Sequence, residues 1–234
     1  MSQLALPVGL KDGALFETFV AAGNEQAVAA LEALQPGVGG PPLCLWGAGS
    51  AGKSHLLQAA CAHLTALGGR SIYLADGRGD SARHPDLLLG LEAMDLVALD
   101  DVQALAGEAA WERRLFSLCN ELAASGGRLL LAADSTPRAL NFQLPDLASR
   151  LIAALSFQVY PLNEAGCAKA LGLHARRRGL ELPDASAVYL LRRVSRDMTS
   201  LCDWLATLDD AALIAQRRLT VPFIRDVLKG GAVR

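Results

Sequence analysis

The chain has 234 residues, enough for one large domain or for one domain with a small companion. With 52% hydrophobic and 20% charged residues it can bury a substantial core, which excludes a disordered chain, and only 5% are aromatic, which favours helices packed on a sheet over a β-sandwich. A net charge of −2 argues against a domain that grips nucleic acid unaided by neutralising phosphates, and leaves at most a local basic face.

Residues 1–12, with Pro7 and Gly9, lack helical periodicity and read as a flexible tail. A helix is expected from Asn24 to Leu34, with Asn24 as its N-cap and Ala27, Val28, Leu31 and Leu34 on one face. The stretch Pro36 to Pro42 is a loop. Strands and helices then alternate: strand Leu43–Trp46, helix Lys53–Leu67, strand Ser71–Ala75, helix His84–Ala93, strand Leu96–Leu99, helix Ala109–Ala124, strand Arg128–Ala133 and a last strand Ser156–Tyr160. Such βα units with wholly apolar strands imply a mainly parallel sheet covered on both faces. After Pro161 the strand signals stop, and segments 163–178, 184–194, 198–215 and 221–229 read as helices. The expected division is a tail at 1–12, an α/β core at 13–161 and an all-helical lid at 162–234. The five cysteines (Cys44, Cys61, Cys119, Cys167, Cys202) form no C-x-x-C pair and read as buried thiols in a reducing compartment. With no long apolar run and no leader pattern, the expected location is cytoplasmic, without membrane contact.

Gly47-Ala48-Gly49-Ser50-Ala51-Gly52-Lys53-Ser54 satisfies G-x-x-x-x-G-K-[ST], with an apolar strand before it and a helix after it. Its glycines let backbone N–H groups curl around phosphates at a helix N-terminus. Lys53 would reach the β and γ oxygens, and the Ser54 hydroxyl would ligate Mg²⁺. Asp100 and Asp101 end the apolar strand Leu96–Leu99, so Asp100 is expected in the Mg²⁺ shell and Asp101 beside an attacking water. Asp134, after the strand Arg128–Ala133, either senses the γ-phosphate or opens the Asp-Ser-Thr-Pro turn. Arg150 ends the short helical stretch 144–150 and is either a guanidinium for a neighbour's γ-phosphate or a solvated surface residue. Arg196 either touches the bound nucleotide's phosphates or pairs with Asp197 or Asp203.

Several of these segments together resemble a known family. Phe16-Glu17-Thr18-Phe19-Val20, Asn24-Glu25-Gln26, the phosphate loop with His55-Leu56 behind it, and Leu99-Asp100-Asp101-Val102-Gln103 followed by Ala106-Gly107 are similar to the AAA+ core of the replication initiator DnaA. The likeness runs from about residue 14 onward, without DnaA's DNA-binding helix-turn-helix or its N-terminal interaction domain. Gln3-Leu4-Ala5-Leu6-Pro7 is similar to the Q-L-x-L-P peptide that docks on the polymerase III sliding clamp (its β subunit), so Gln3, Leu4, Leu6 and Pro7 are the expected partner-binding residues. Segments 144–150, 178–183 and 220–223 resemble the regulatory-inactivator branch of this DnaA-like family.

The resemblance implies an α/β P-loop AAA+ core with a helical lid, binding ADP or ATP with Mg²⁺. It implies Arg150 as an arginine finger acting in trans on DnaA, Asp134 as the sensor on the fourth strand and Arg196 as the lid sensor. The expected function is negative regulation of replication initiation, with DNA reached only through the clamp and the chain's own hydrolysis weak. A stand-alone ATPase of helicase-loader type, free to self-associate as a homo-oligomer, and a non-catalytic nucleotide-dependent adaptor are the two rival readings.

Overall fold

A computed structural model describes residues 14–75, 84–195 and 197–230. These fall into two compact units: one holds the described residues up to Phe16 together with Gly23–Tyr160, the other Glu17–Ala22 with the described residues from Pro161.

In the first unit the apolar runs become β1 (Leu43–Trp46), β2 (Ser71–Leu74), β3 (Leu96–Leu99), β4 (Arg128–Ala133) and β5 (Leu155–Gln158). All neighbouring strands pair in parallel, in the order β2-β3-β4-β1-β5. Helix α1 (Glu25–Glu32) precedes β1, and between the strands run α2 (Lys53–Ala66), α3 (Ala109–Ser125) and α4 (Pro145–Ile152). Parallel strands need crossovers, and these put helices on both faces, which is why the strands carry apolar residues without polar alternation. Cys44, Val97, Leu99, Leu129 and Leu131 share a buried cluster with Leu115, Leu118 and Leu122 of α3. The intervening strand residues, among them Leu43, Leu45, Leu96 and Leu130, point to the opposite face, and α2 buries Leu56, Leu57 and Leu64. Each fully buried leucine contributes roughly 1.5–3 kcal/mol. One consequence matters for function: the C-terminal ends of β1, β3 and β4 lie along one edge of the sheet.

Two local expectations are corrected and one is refined. His84–Ala93 is not one helix but two 3₁₀ turns, Pro85–Leu88 and Leu91–Ala93, because Gly90 between them takes φ 79°, a left-handed conformation that interrupts a helix. Asn24 does occupy the N-cap position of α1, its carbonyl accepting from the Val28 N–H (3.0 Å), but its side chain makes no cap bond. Instead its Nδ2 donates to the Tyr160 carbonyl (3.0 Å) and its Oδ1 accepts from the Tyr160 N–H (2.8 Å). The last strand begins at Leu155 rather than Ser156 and ends at Gln158.

The second unit is helical from Glu164 on: α5 (Glu164–Arg177), α6 (Asp184–Leu191), α7 (Met198–Ala215) and α8 (Val221–Gly230). Its own core gathers Leu171, Leu190, Leu201, Leu205, Leu208, Phe223 and Ile224. Caps mark the starts, with Asn163 accepting from the Gly166 N–H (2.8 Å) and Asp197 from the Ser200 N–H (2.8 Å). All five cysteines are thiols, four of them buried, and burial pushes Cys44 and Cys61 up to about 12. Among the described residues no helix is long and apolar enough to cross a membrane.

Candidate functional site

The sheet edge that collects the ends of β1, β3 and β4 is where the expected site residues meet. Leaving β1, the chain turns at Gly47, whose N–H donates to the Ala133 carbonyl of β4 (3.2 Å). Gly47 has φ 153°, and a Cβ there would sit 2.3 Å from the Val159 carbonyl oxygen, so no larger residue fits. Ser50 (φ 57°) and Gly52 (φ 98°) are also left-handed, and Gly52 leads directly into α2. A loop curled in this way ahead of a 14-residue helix aims N–H groups and the positive end of the helix dipole at one point. Lys53 is buried at 7% exposure, and its Nζ donates to the carbonyls of Gly47 (2.8 Å) and Ala48 (2.9 Å). The ammonium is therefore held inside the loop's arc, where a phosphate oxygen would meet it.

Asp100 follows β3 and is 8% exposed. It accepts from the Tyr73 hydroxyl (2.8 Å) and from the Asp101 N–H (3.0 Å), and the Ser54 hydroxyl also bonds to it. Burial pushes its carboxyl above the ordinary carboxylate range; the hydroxyls of Ser54 and Tyr73 oppose that shift, and the nearby Asp101 adds to it. A buried carboxylate beside a second carboxylate gains from a cation. The donor set, a hydroxyl and a carboxylate oxygen, suits the hard ion Mg²⁺. Among the described residues no three His, Cys, Asp or Glu gather as a metal cluster. A Mg²⁺ held by Ser54 and Asp100 would complete its shell with phosphate and water, the usual habit of that ion.

Asp101 takes φ 49°, a left-handed conformation that aspartate tolerates better than most residues. Its carboxylate accepts from the Gln103 Nε2 (2.8 Å), while the Gln103 Oε1 accepts from the Asp134 N–H (3.3 Å). One amide thus ties the second acid of β3 to the residue after β4. The Asp134 side chain is exposed and accepts from the Ser135 hydroxyl (2.9 Å). The site therefore brings together Gly47 to Ser54, Asp100, Asp101 and Asp134.

Arg150 stands in the last turn of α4, as the sequence suggests, but it is half-buried rather than freely solvated. Its guanidinium lies over the Phe116 ring of α3 at 5.7 Å, within cation–π range, and among the described residues it pairs with no carboxylate. Arg196 and the tail residues Gln3, Leu4, Leu6 and Pro7 lie outside the described residues. Hydrogen bonds from the Ser195 hydroxyl (2.6 Å) and the Ser200 N–H hold the Asp197 carboxyl down at about 2.

Sequence reasoning missed three contributors. Tyr73 reads as one more apolar strand residue, although a buried phenol needs a polar partner and that requirement was a usable signal. Gln103 stands inside the quoted motif without a role. Glu112 reads as an ordinary acid on a helix surface, yet it is among the most buried side chains of the first unit.

Comparison with known proteins places these features in a context. The family model for the bacterial DnaA ATPase domain matches residues 84–158, a span containing Asp100, Asp101, Asp134 and Arg150. The model for the Hda lid domain matches residues 164–228. Domain III of the Thermotoga maritima replication initiation protein DnaA is similar at a TM-score of 0.73 and 21% identity, covering 95% of this chain and 98% of that one. A replication initiator DnaA bound to AMPPCP and single-stranded DNA is similar at 0.65 and 24% identity, over 89% and 69% of the two chains. The Thermotoga maritima RuvB Holliday junction branch migration motor reaches 0.67 at 14% identity, over 94% and 72%. Proteins of different task share this architecture, so these structural likenesses fix the fold and leave the function to the site.

Proposed function

Since the chain is an Hda/DnaA-like AAA+ protein, we propose that it acts in replication initiation as a negative regulator that triggers ATP hydrolysis on DnaA. In this reading the loop Gly47–Ser54 holds ADP or ATP, with Mg²⁺ on Ser54 and Asp100, and Arg196 adds a lid contact to the phosphates. The bound nucleotide keeps the chain in its working form. The tail, through Gln3, Leu4, Leu6 and Pro7, docks on the sliding clamp loaded on DNA. Arg150 then enters the active site of an adjoining ATP-bound DnaA and offsets the charge that develops on the transferred phosphoryl group.

The observation that carries this reading is the state of Arg150: a guanidinium seated on an aromatic ring, at the end of a short helix, not neutralised by a carboxylate among the described residues. The guanidinium is held and left available. The chain's own Mg²⁺, when bound, would neutralise phosphate charge, while Asp101, positioned by Gln103, would hold a water.

A second reading draws support from that same Gln103 bridge. The set Lys53, Asp100, Asp101 and Asp134 is complete enough for a self-contained ATPase. Hydrolysis of DnaA-bound ATP, measured with and without clamp-loaded DNA, separates the two. Stimulation that requires the loaded clamp is expected. Brisk ATP turnover by the chain alone, with no effect on DnaA, would favour the self-contained enzyme.

A further inference from the structure

Glu112 stands in the first turn of α3 and is 1% exposed. A carboxylate so deeply buried normally faces a cation; this one faces three backbone N–H groups. Its Oε1 accepts from Gly107 (2.7 Å) and Gln143 (3.0 Å), and its Oε2 from Gln143 (2.8 Å) and Leu144 (2.6 Å). Burial works to raise its pKa, but the N–H groups of Gln143, Gly107 and Leu144 outweigh burial and hold it below the ordinary value.

The identity of those donors is informative. Gly107 closes the 3₁₀ turn Val102–Leu105 that hangs from Asp100 and Asp101. Gln143 and Leu144 are the residues from which α4 departs, and the last turn of α4 carries Arg150. One turn further along α3, on the same face, Phe116 lies under the Arg150 guanidinium. Helix α3 thus holds α4 at both ends, and at the near end it also holds the segment that follows the paired acids.

We propose that Glu112 is a positioning residue for Arg150: by fastening Gly107, Gln143 and Leu144 to α3 it sets the direction in which α4 presents the guanidinium to a partner's nucleotide. This rests on the reading of Arg150 given above. The lever arm makes the effect large. Arg150 is the sixth residue of α4, about 8 Å from its start at 1.5 Å per residue, so a tilt of about 7° there moves Arg150 by about 1 Å. A misplacement of that size costs on the order of 10²-fold in a rate that depends on alignment.

Glu112→Gln is the most direct test, because it is isosteric but offers only one acceptor oxygen. Whichever way the amide turns, its NH₂ faces a backbone N–H, so either the Gly107 bond or the Leu144 bond is released, while the Gln143 N–H, shared by both oxygens, keeps one acceptor. In the full chain, Glu112→Gln is expected to leave ADP affinity and the half-saturating concentration for ATP-bound DnaA within about twofold. The maximal stimulated rate should fall about 10- to 100-fold, and the amide resonances of Gly107, Gln143 or Leu144 should move. Glu112→Asp keeps the charge but is one methylene too short to span the bonds, and is expected to give an intermediate rate. If Glu112→Gln fails to fold, the Asp variant carries the same test. Wild-type maximal rates in a variant whose amide resonances have moved overturn the proposal. Wild-type rates in Arg150→Ala would instead overturn the reading on which it rests.

Discussion

Arg150→Ala is expected to lower the clamp-dependent hydrolysis of DnaA-bound ATP by about 10³-fold or more, while the chain continues to bind ADP. A thousandfold is about 4 kcal/mol of transition-state stabilisation. The substitution also removes the contact with Phe116, but a cation–π pair at a half-exposed position is worth about 0.5–1 kcal/mol. Loss of that seat cannot account for the expected rate effect, and the thermal midpoint should move by only a few degrees. Arg150→Lys restores charge without the planar fork and should recover only a part. The measurement is single-turnover hydrolysis at saturating variant, read beside ADP binding. Full stimulation by Arg150→Ala would remove the finger from the account.

Lys53→Ala should have the second largest effect, at the chain's own nucleotide. The Lys53 Nζ donates to the Gly47 and Ala48 carbonyls, so alanine removes the phosphate's cationic partner and unties the arc of the loop as well. Hydrogen bonds to charged groups contribute about 1.5–3 kcal/mol each. Losing the upper part of that range weakens ADP binding by about 10²-fold. Calorimetric titration of ADP into the variant checks this, and the stabilisation that ADP confers on melting should shrink with it. An affinity within about threefold of the wild type would mean that the loop does not hold phosphate through this lysine.

How much of this was legible in the sequence follows from how local each feature is. The phosphate loop is readable because its chemistry is contiguous: glycines for backbone curvature, then Lys53 and Ser54 at a helix start. The parallel sheet is readable because strands covered on both faces must be apolar throughout, as Leu96–Leu99 is. What escaped depends on partners distant in the chain. Asn24 looks like a cap, but its amide finds Tyr160, 136 residues away. Glu112 looks like a solvated acid until the turn at Gln143 closes over it. The run from Pro85 to Ala93 has helical spacing in its leucines, and only the left-handed Gly90 divides it. Arg150 falls on the expected short helix, whereas its aromatic seat on α3 follows from no local pattern.

The account stands on a guanidinium from this chain entering another protein's active site, and a transition-state trap tests that most directly. DnaA loaded with ADP and aluminium fluoride should co-elute with the chain from a size-exclusion column when clamp and DNA are left out, so that the tail has nothing to hold. DnaA with ADP alone should elute separately, and Arg150→Ala should elute separately in both cases. Equal co-elution of wild type and Arg150→Ala in the presence of aluminium fluoride would contradict the account.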